Sequence, residues 1–191
     1  PLRLMVIAPV GLHPHWQREV ESLDLECTLH SWARLPADLP EAGTLLVVDE
    51  AHFAQSLQAQ RTQALLRLAR HPRLRAVWML TGTPIRNGRP IQFFPLLAAM
   101  DHPLARDQRS FEEIFCQGHW TEQGGRRRWR ANGASRLEEL RRLTRPLVLH
   151  RRKQQVLGLP AKQRRCHGIA LAADQALGFD HRLRLVVDDY R

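Results

Sequence analysis

Two adjacent carboxylates, Asp49 and Glu50, stand directly after the unbroken apolar run Leu45, Leu46, Val47 and Val48, and Ala51 and His52 follow them. A short continuous apolar run reads as a strand buried on both faces, as in a parallel sheet. The two acids then fall where that strand ends, and open α/β sheets hold their ligands just beyond the carboxyl ends of their strands. Adjacent carboxylates at such a place can hold a hydrated Mg²⁺ and orient a water for attack on a phosphate. In that chemistry Asp49 faces the metal and Glu50 polarises the water. The plainer reading of the same residues is a strand leaving the core into a polar turn.

A second group follows another apolar run. Residues 76–80 lead into Thr81, Gly82 and Thr83, where the glycine permits a tight turn and the hydroxyls can bridge loops. Its plain counterpart is a strand-terminating turn. Cys116 and His119 have the spacing of half a zinc site, but no second pair stands at ligand spacing. Cys27, Cys116 and Cys166 are widely separated. They imply no disulfide framework and fit a reducing, intracellular compartment.

The elements that must position these groups alternate between strand and helix. Residues 2–8 read as a strand that Pro9 ends. After a turn at residues 11–14, residues 15–23 read as a helix with Trp16, Val20 and Leu23 on one face. Residues 25–32 read as a second short strand, residues 44–48 as the central one, and residues 76–80 as another. Ser56 is placed to cap a helix running to residue 70, which His71-Pro72 stops. This alternation predicts a parallel, βαβ-built sheet. Beyond Asn87-Gly88 the pattern turns helical. Residues 91–100 are apolar and bent or shortened by Pro95. Ser110 with Glu113, and Ser135 with Glu138, have capping-box spacing. Residues 124–130 read as a basic loop with one aromatic, Trp129, between those two helices. Residues 165–171 suit a last strand, and residues 177–190 are ambiguous.

Apolar residues make up 43% of the 191, enough for one domain with a real core and an appendage. No apolar run approaches the ~20 residues of a membrane span, and no signal peptide is visible. A start at Pro1, within a strand-like run, is expected of an internal piece of a longer protein. The net charge is +10, and residues 126–165 alone hold fourteen Lys or Arg against two acids. An excess concentrated in one segment is a polyanion-binding footprint. Only Lys153 and Lys162 are lysines, and the arginines suit bidentate phosphate contacts. Coding bias explains the Arg-to-Lys ratio equally well, but not the clustering.

Taken in order, MVIAPVGLHPHWQREVE, VVDEAH, LTGTPIRN and LVLHRRKQQVLGLPAKQRR resemble the first ATPase lobe of the SWI/SNF-type branch of the superfamily 2 helicases. The stretch from the basic loop through Asn132-Gly133-Ala134-Ser135 looks most like the annealing-helicase subgroup. The resemblance covers about residues 4–165 and implies a RecA-like parallel sheet flanked by helices, with an inserted helical protrusion. It divides the chain into a lobe at 1–89, a protrusion at 90–147, and a basic signature with the start of a linker or second lobe at 148–191.

The roles implied by the resemblance fall on named residues. Asp49, Glu50 and His52 match the catalytic group: Asp49 holds Mg²⁺ through water, Glu50 polarises the attacking water, and His52 links the site to the DNA-side motifs. Thr81, Gly82 and Thr83 match the coupling motif. Pro9, Gly11, His15 and Trp16 match the motif touching the DNA backbone, and Arg126, Arg127, Arg128 and Arg130 are expected to join it. Trp129 either packs the loop or stacks on a base. Arg151, Arg152 and Lys153 match the hinge signature, whose first arginine is replaced here by His150. ATP and Mg²⁺ are the implied cofactors. Duplex or branched DNA and a second RecA-like lobe of the same parent chain are the implied partners. The implied setting is cytoplasmic and nucleoid-associated, away from any membrane.

No G-x-x-x-x-G-K-[ST] phosphate loop occurs in the chain. By the resemblance that loop lies upstream of residue 1 and the arginine finger lies beyond residue 191. The expected function is therefore part of an ATP-dependent DNA translocase, inactive alone. A non-catalytic nucleic-acid-binding module and a protein-interaction scaffold built on such a lobe are the alternatives.

Overall fold

A computed structural model of the chain describes residues 2–36 and 40–151. Four strands, β1 (Arg3–Ala8), β2 (Glu26–Ser31), β3 (Thr44–Val48) and β4 (Leu74–Met79), form one sheet in the order β2-β1-β3-β4. Every neighbouring pair is parallel, as the strand–helix alternation predicts. Helix α1 (His13–Ser22) links β1 to β2, and α2 (Gln60–Ala69) links β3 to β4. Asp49 and Thr81 consequently leave the sheet at the same edge.

The two inner strands are apolar on both faces, so the sheet carries a core on each side. Met5 and Ile7 lie beside Leu46 and Val48 and face one core, while Leu4 and Val6 lie beside Leu45 and Val47 and face the other. The first core is closed by Leu65 of α2 and by α3 (Phe94–Ala99) and α4 (Gln108–Phe115), through Phe94, Leu97, Phe111 and Phe115. The second is closed by α1, through Val20 and Trp16. Burying a Leu, Ile or Phe side chain stabilises by about 1.5–3 kcal/mol, which makes these two layers the frame of the site.

Several boundaries differ from the sequence reading. Helix α1 begins at His13, with Pro14 in its first turn, and Leu23 lies beyond its end, 65% exposed. Leu25 takes the packing place expected of Leu23. Helix α2 begins at Gln60 with no side-chain cap. Ser56 instead forms a turn in which its carbonyl accepts from the Ala59 N–H at 3.1 Å. Neither capping box forms. Asp107 caps α4, accepting from the N–H groups of Arg109 at 3.2 Å and Ser110 at 2.9 Å, with the Ser110 hydroxyl donating to the same carboxylate. Helix α5 (Leu137–Thr144) starts after Arg136, which adopts φ 48°, and Ser135 Oγ donates to the Ile114 carbonyl at 2.7 Å. Residues 91–100 are shortened as Pro95 requires, with a tight turn at Pro90–Phe93 preceding the six-residue α3.

The expected basic loop is a β-hairpin. Strands β5 (His119–Gln123) and β6 (Arg126–Arg130) pair antiparallel. Gly124 and Gly125 join them at φ 60° and 68°. Two consecutive positive φ angles make the primed turn whose twist matches the strands it joins. All these elements belong to one compact unit, Pro1–Val148. The strand expected at residues 165–171, the stretch 177–190, and Arg152 and Lys153 lie outside the described residues.

Candidate functional site

The carboxyl ends of β1, β3 and β4 meet at Asp49. Its backbone N–H donates to the Ile7 carbonyl at 2.8 Å, continuing the ladder to β1. Its own carbonyl accepts from Trp32 Nε1 at 2.9 Å. The carboxylate has two donors, Trp16 Nε1 on Oδ2 at 2.9 Å and the Glu50 N–H on Oδ1 at 2.8 Å. Position and orientation of this acid are thus fixed by side chains from α1 and from the turn after β2.

Glu50 is in the left-handed region, at φ 49° and ψ 47°. A non-glycine residue there costs about 1–3 kcal/mol and persists only where its surroundings impose it. The imposing contacts are visible: the Ala51 N–H donates to the Leu80 carbonyl at 2.9 Å, and Leu80 N–H to the Val48 carbonyl at 2.8 Å. The backbone therefore turns sharply beneath Glu50 while its side chain stays 40% exposed. In the turn Ala51–Ala54, Ala51 and Ala54 are buried, and His52 Nδ1 comes within 2.9 Å of Glu50 Oε2. That contact falls short of hydrogen-bond alignment. It becomes an ion pair when the ring is protonated.

Gln55 joins the second group to the first. Its amide donates to the carbonyls of Thr83 at 2.8 Å and Pro84 at 3.0 Å. Thr81 Oγ1 accepts from the Thr83 N–H at 3.1 Å, a local hydroxyl turn. Asp49 and Thr81 leave the sheet at one edge, as expected, and Glu50, His52, Gly82 and Thr83 stand in the turns that follow them. Neither Trp32 nor Gln55 was singled out by the sequence. Trp32 carries no signal beyond standing at a strand end. Gln55, a lone amide just past the acidic motif, had a weak one.

The residues expected to face nucleic acid fall into two places. Pro9 ends β1 and accepts from the Leu12 N–H at 2.9 Å, while Gly11 and His15 are exposed beside the N-terminus of α1. His13 holds this turn through a 3.2 Å contact of its Nε2 with the Ala8 carbonyl. Trp16 points inward to Asp49. Arg126, Arg127, Arg128 and Arg130 are exposed on β6, in the separate two-stranded sheet, and Arg151 is exposed at the end of the described residues. Trp129 packs: its indole donates to Glu112, and Arg109 lies over its ring.

Cys116 is fully buried, and burial, with the nearby Glu112 charge, pushes its thiol up to about 12. It is a core residue that stays protonated at neutral pH. Among the described residues no group of three or more His, Cys, Asp and Glu is placed to hold a metal. A hydrated Mg²⁺ needs no such group, since one or two carboxylates suffice when substrate phosphates and water complete the shell. Asp49 suits that role, because its two donors leave lone pairs on both oxygens.

Residues 38–187 match the SNF2-related domain. The chain belongs to the SNF2-related domain family. Within 121 residues, 63% of this chain, it is 36% identical to the DNA annealing helicase and endonuclease ZRANB3 of Mus musculus and 35% identical to that of Homo sapiens. The chain spans 11% of the length of either relative. Among solved structures it is similar to the Sulfolobus solfataricus SWI2/SNF2 ATPase core in complex with dsDNA, with a TM-score of 0.58 and 21% identity over 83% of this chain and 36% of that one. That likeness matches the SNF2-related sheet to a RecA-like lobe. No helix among the described residues is long and apolar enough to cross a membrane.

Proposed function

We propose that this SNF2-related chain supplies one wall of the Mg-ATP site and part of the DNA track of an ATP-dependent duplex-DNA translocase. The observation that carries this reading is the junction of Asp49 and Glu50 with the Thr81–Thr83 turn at one sheet edge, bridged by Gln55. The relatives named for DNA annealing and the neighbour bound to dsDNA support DNA as the partner. In this account residues 1–89 form the lobe, 90–147 the protrusion, and 148–191 lead toward a second lobe.

Bound Mg-ATP would supply the electrophilic phosphate and the charge neutralisation. Asp49, held by Trp16 and the Glu50 N–H, would hold a hydrated Mg²⁺ without having to reorient. Preorganisation of this kind removes a reorganisation cost at the moment of reaction. Glu50, raised on its left-handed turn, orients a water and accepts its proton. Gln55, on the Thr83 and Pro84 carbonyls, ties any movement of this end of β3 to the end of β4, and His52 braces Glu50 within the same turn. The exposed turn at residues 11–15 presents Gly11 and His15, a small residue and an imidazole that can meet a phosphate backbone without reading bases. The exposed arginines of β6, on the face turned away from Trp129, and the hinge residues Arg151, Arg152 and Lys153 add the electrostatic part of binding.

The test is ATP hydrolysis by the longer protein with and without duplex DNA. Hydrolysis that rises with DNA supports the reading; hydrolysis indifferent to DNA, or none at all, overturns it. The 191-residue chain alone should turn over ATP far below the ~1 s⁻¹ of ordinary enzymes.

A further inference from the structure

We propose that Arg126, Arg128 and Arg130 form a row that grips the phosphate backbone of DNA on the free face of the β5–β6 hairpin, and that Arg127 has no part in it. The proposal rests on the DNA reading above and adds the surface, its orientation and its residues.

Register divides the hairpin into two faces. Trp120 pairs with Trp129 and Glu122 with Arg127 on one face; His119 pairs with Arg130, Thr121 with Arg128, and Gln123 with Arg126 on the other. The first face is mounted on α4. Trp129 donates its indole N–H to Glu112, which is 8% exposed and also accepts from Gln108 at 2.6 Å. The Arg109 guanidinium lies 3.0 Å from the Trp129 ring centroid and 4.9 Å from that of Trp120. The two indoles meet edge to face at 5.6 Å, and Arg127 covers Trp120 at 5.3 Å. Gly118 leaves room for this: a Cβ there would collide with the Trp129 ring and the Glu112 backbone. Isolated two-stranded hairpins are marginal, and this one is held by its aromatic face.

The other face has the opposite character. Three arginines occupy alternate positions of one strand, about 6.7 Å apart. Their cross-strand partners are Gln123, Thr121 and His119, none of them acidic. Glu122, the one acid in β5 or β6, stands across from Arg127 on the mounted face. All three arginines are exposed, and no ion pair among the described residues reaches them. Like charges crowded on one face oppose folding, so the arrangement invites a compensating polyanion. A straight, regular row of guanidinium forks suits a polymer with regularly spaced phosphates. The irregular charge of an acidic protein surface suits it less.

The experiment compares the 191-residue chain, its R126Q/R128Q/R130Q variant and its Arg127→Gln variant for binding to a fluorescent duplex of arbitrary sequence across a salt series. The triple variant should lose about two to three units of the log K against log salt slope and about a hundredfold or more in affinity at ~0.1 M salt. Arg127→Gln should keep the wild-type slope. Thermal melting of the triple variant at low salt should stay at or above wild type, since self-repulsion is relieved, which separates lost contact from lost fold. If the wild-type chain binds and the triple variant binds equally well with the same slope, the hairpin proposal is overturned while the DNA reading stands, and the arginine row faces an acidic protein instead. An equal loss in Arg127→Gln overturns the division of faces. A wild-type chain with no salt-dependent affinity for DNA overturns both the hairpin proposal and the DNA reading.

Discussion

The Trp16 indole N–H donates to Asp49 Oδ2 at 2.9 Å, so the helix that follows β1 is tied directly to the carboxylate that ends β3. Asp49 thereby belongs to two neighbourhoods. One is the carboxyl edge of the sheet; the other is the start of α1, where Gly11 and His15 are exposed. A single hydrogen bond joins the proposed DNA-facing turn to the proposed nucleotide-facing acid.

Replacing Trp16 with Phe keeps an aromatic ring, though a smaller one, and removes the donor, so the loss is at least that of the hydrogen bond. Hydrogen bonds to charged groups are worth about 1.5–3 kcal/mol, and partial exposure here reduces that toward about 1 kcal/mol. Urea denaturation should show a loss of at least that size. In the longer protein, DNA stimulation of hydrolysis should fall further than DNA affinity does. An unchanged denaturation midpoint with unchanged stimulation would mean the bond carries neither stability nor coupling.

Gly118→Ala should dismount the hairpin. The added methyl meets the Trp129 ring and the Glu112 backbone, and overpacking of this kind costs about 1–3 kcal/mol. Thermal melting and tryptophan emission report it, with the Trp120 and Trp129 environment shifting toward solvent. Wild-type melting and emission would show that the close packing of Trp129 on Gly118 is not needed.

Asp107 sets an acid limit for α4. The Ser110 hydroxyl, and then its backbone N–H, hold this carboxyl below the ordinary carboxylate range. A native pKa below the unfolded one gives stability that is present above the unfolded value, about 4, and is lost as pH falls through the native value. Asp107→Asn retains a good helix cap but cannot titrate. Its stability should therefore fall less than that of wild type as the pH is taken below about 4 in a denaturation series. Parallel curves for the two proteins would contradict the assignment.

The sheet was legible because its inner strands have no polar face. Residues 44–48 form β3 with the expected bounds, and Asp49 with Thr81 share the expected edge. Edge strands gave weaker signals: β4 spans Leu74–Met79 rather than 76–80, because Leu74 and Arg75 lack the apolar run that marks a fully buried strand. The caps were misread for a physical reason. Ser110 and Ser135 matched a spacing, but Asp107 binds the α4 N–H groups more strongly as an anion, and Ser135 reaches the Ile114 carbonyl through tertiary contact. Gly124-Gly125 was itself a two-residue hairpin signal, but the polar, arginine-rich flanks lacked the alternation that marks strands. The hairpin's strand character comes from Trp129 docking on α4, which no local pattern carries. Trp16 stood both on the apolar face of its helix and in a motif expected to touch DNA, and only the fold brings its N–H to Asp49.

The role of Glu50 is read from ATP turnover by a Glu50→Gln variant of a protein that holds this chain within a complete ATPase core, measured with and without duplex DNA and beside its affinity for nucleotide. The substitution keeps the size of the side chain and removes its ability to take a proton from water. DNA-stimulated hydrolysis should fall by about 10²-fold or more, with nucleotide affinity close to wild type. Wild-type turnover in this variant would contradict the assignment of Asp49 and Glu50 as the catalytic end of β3.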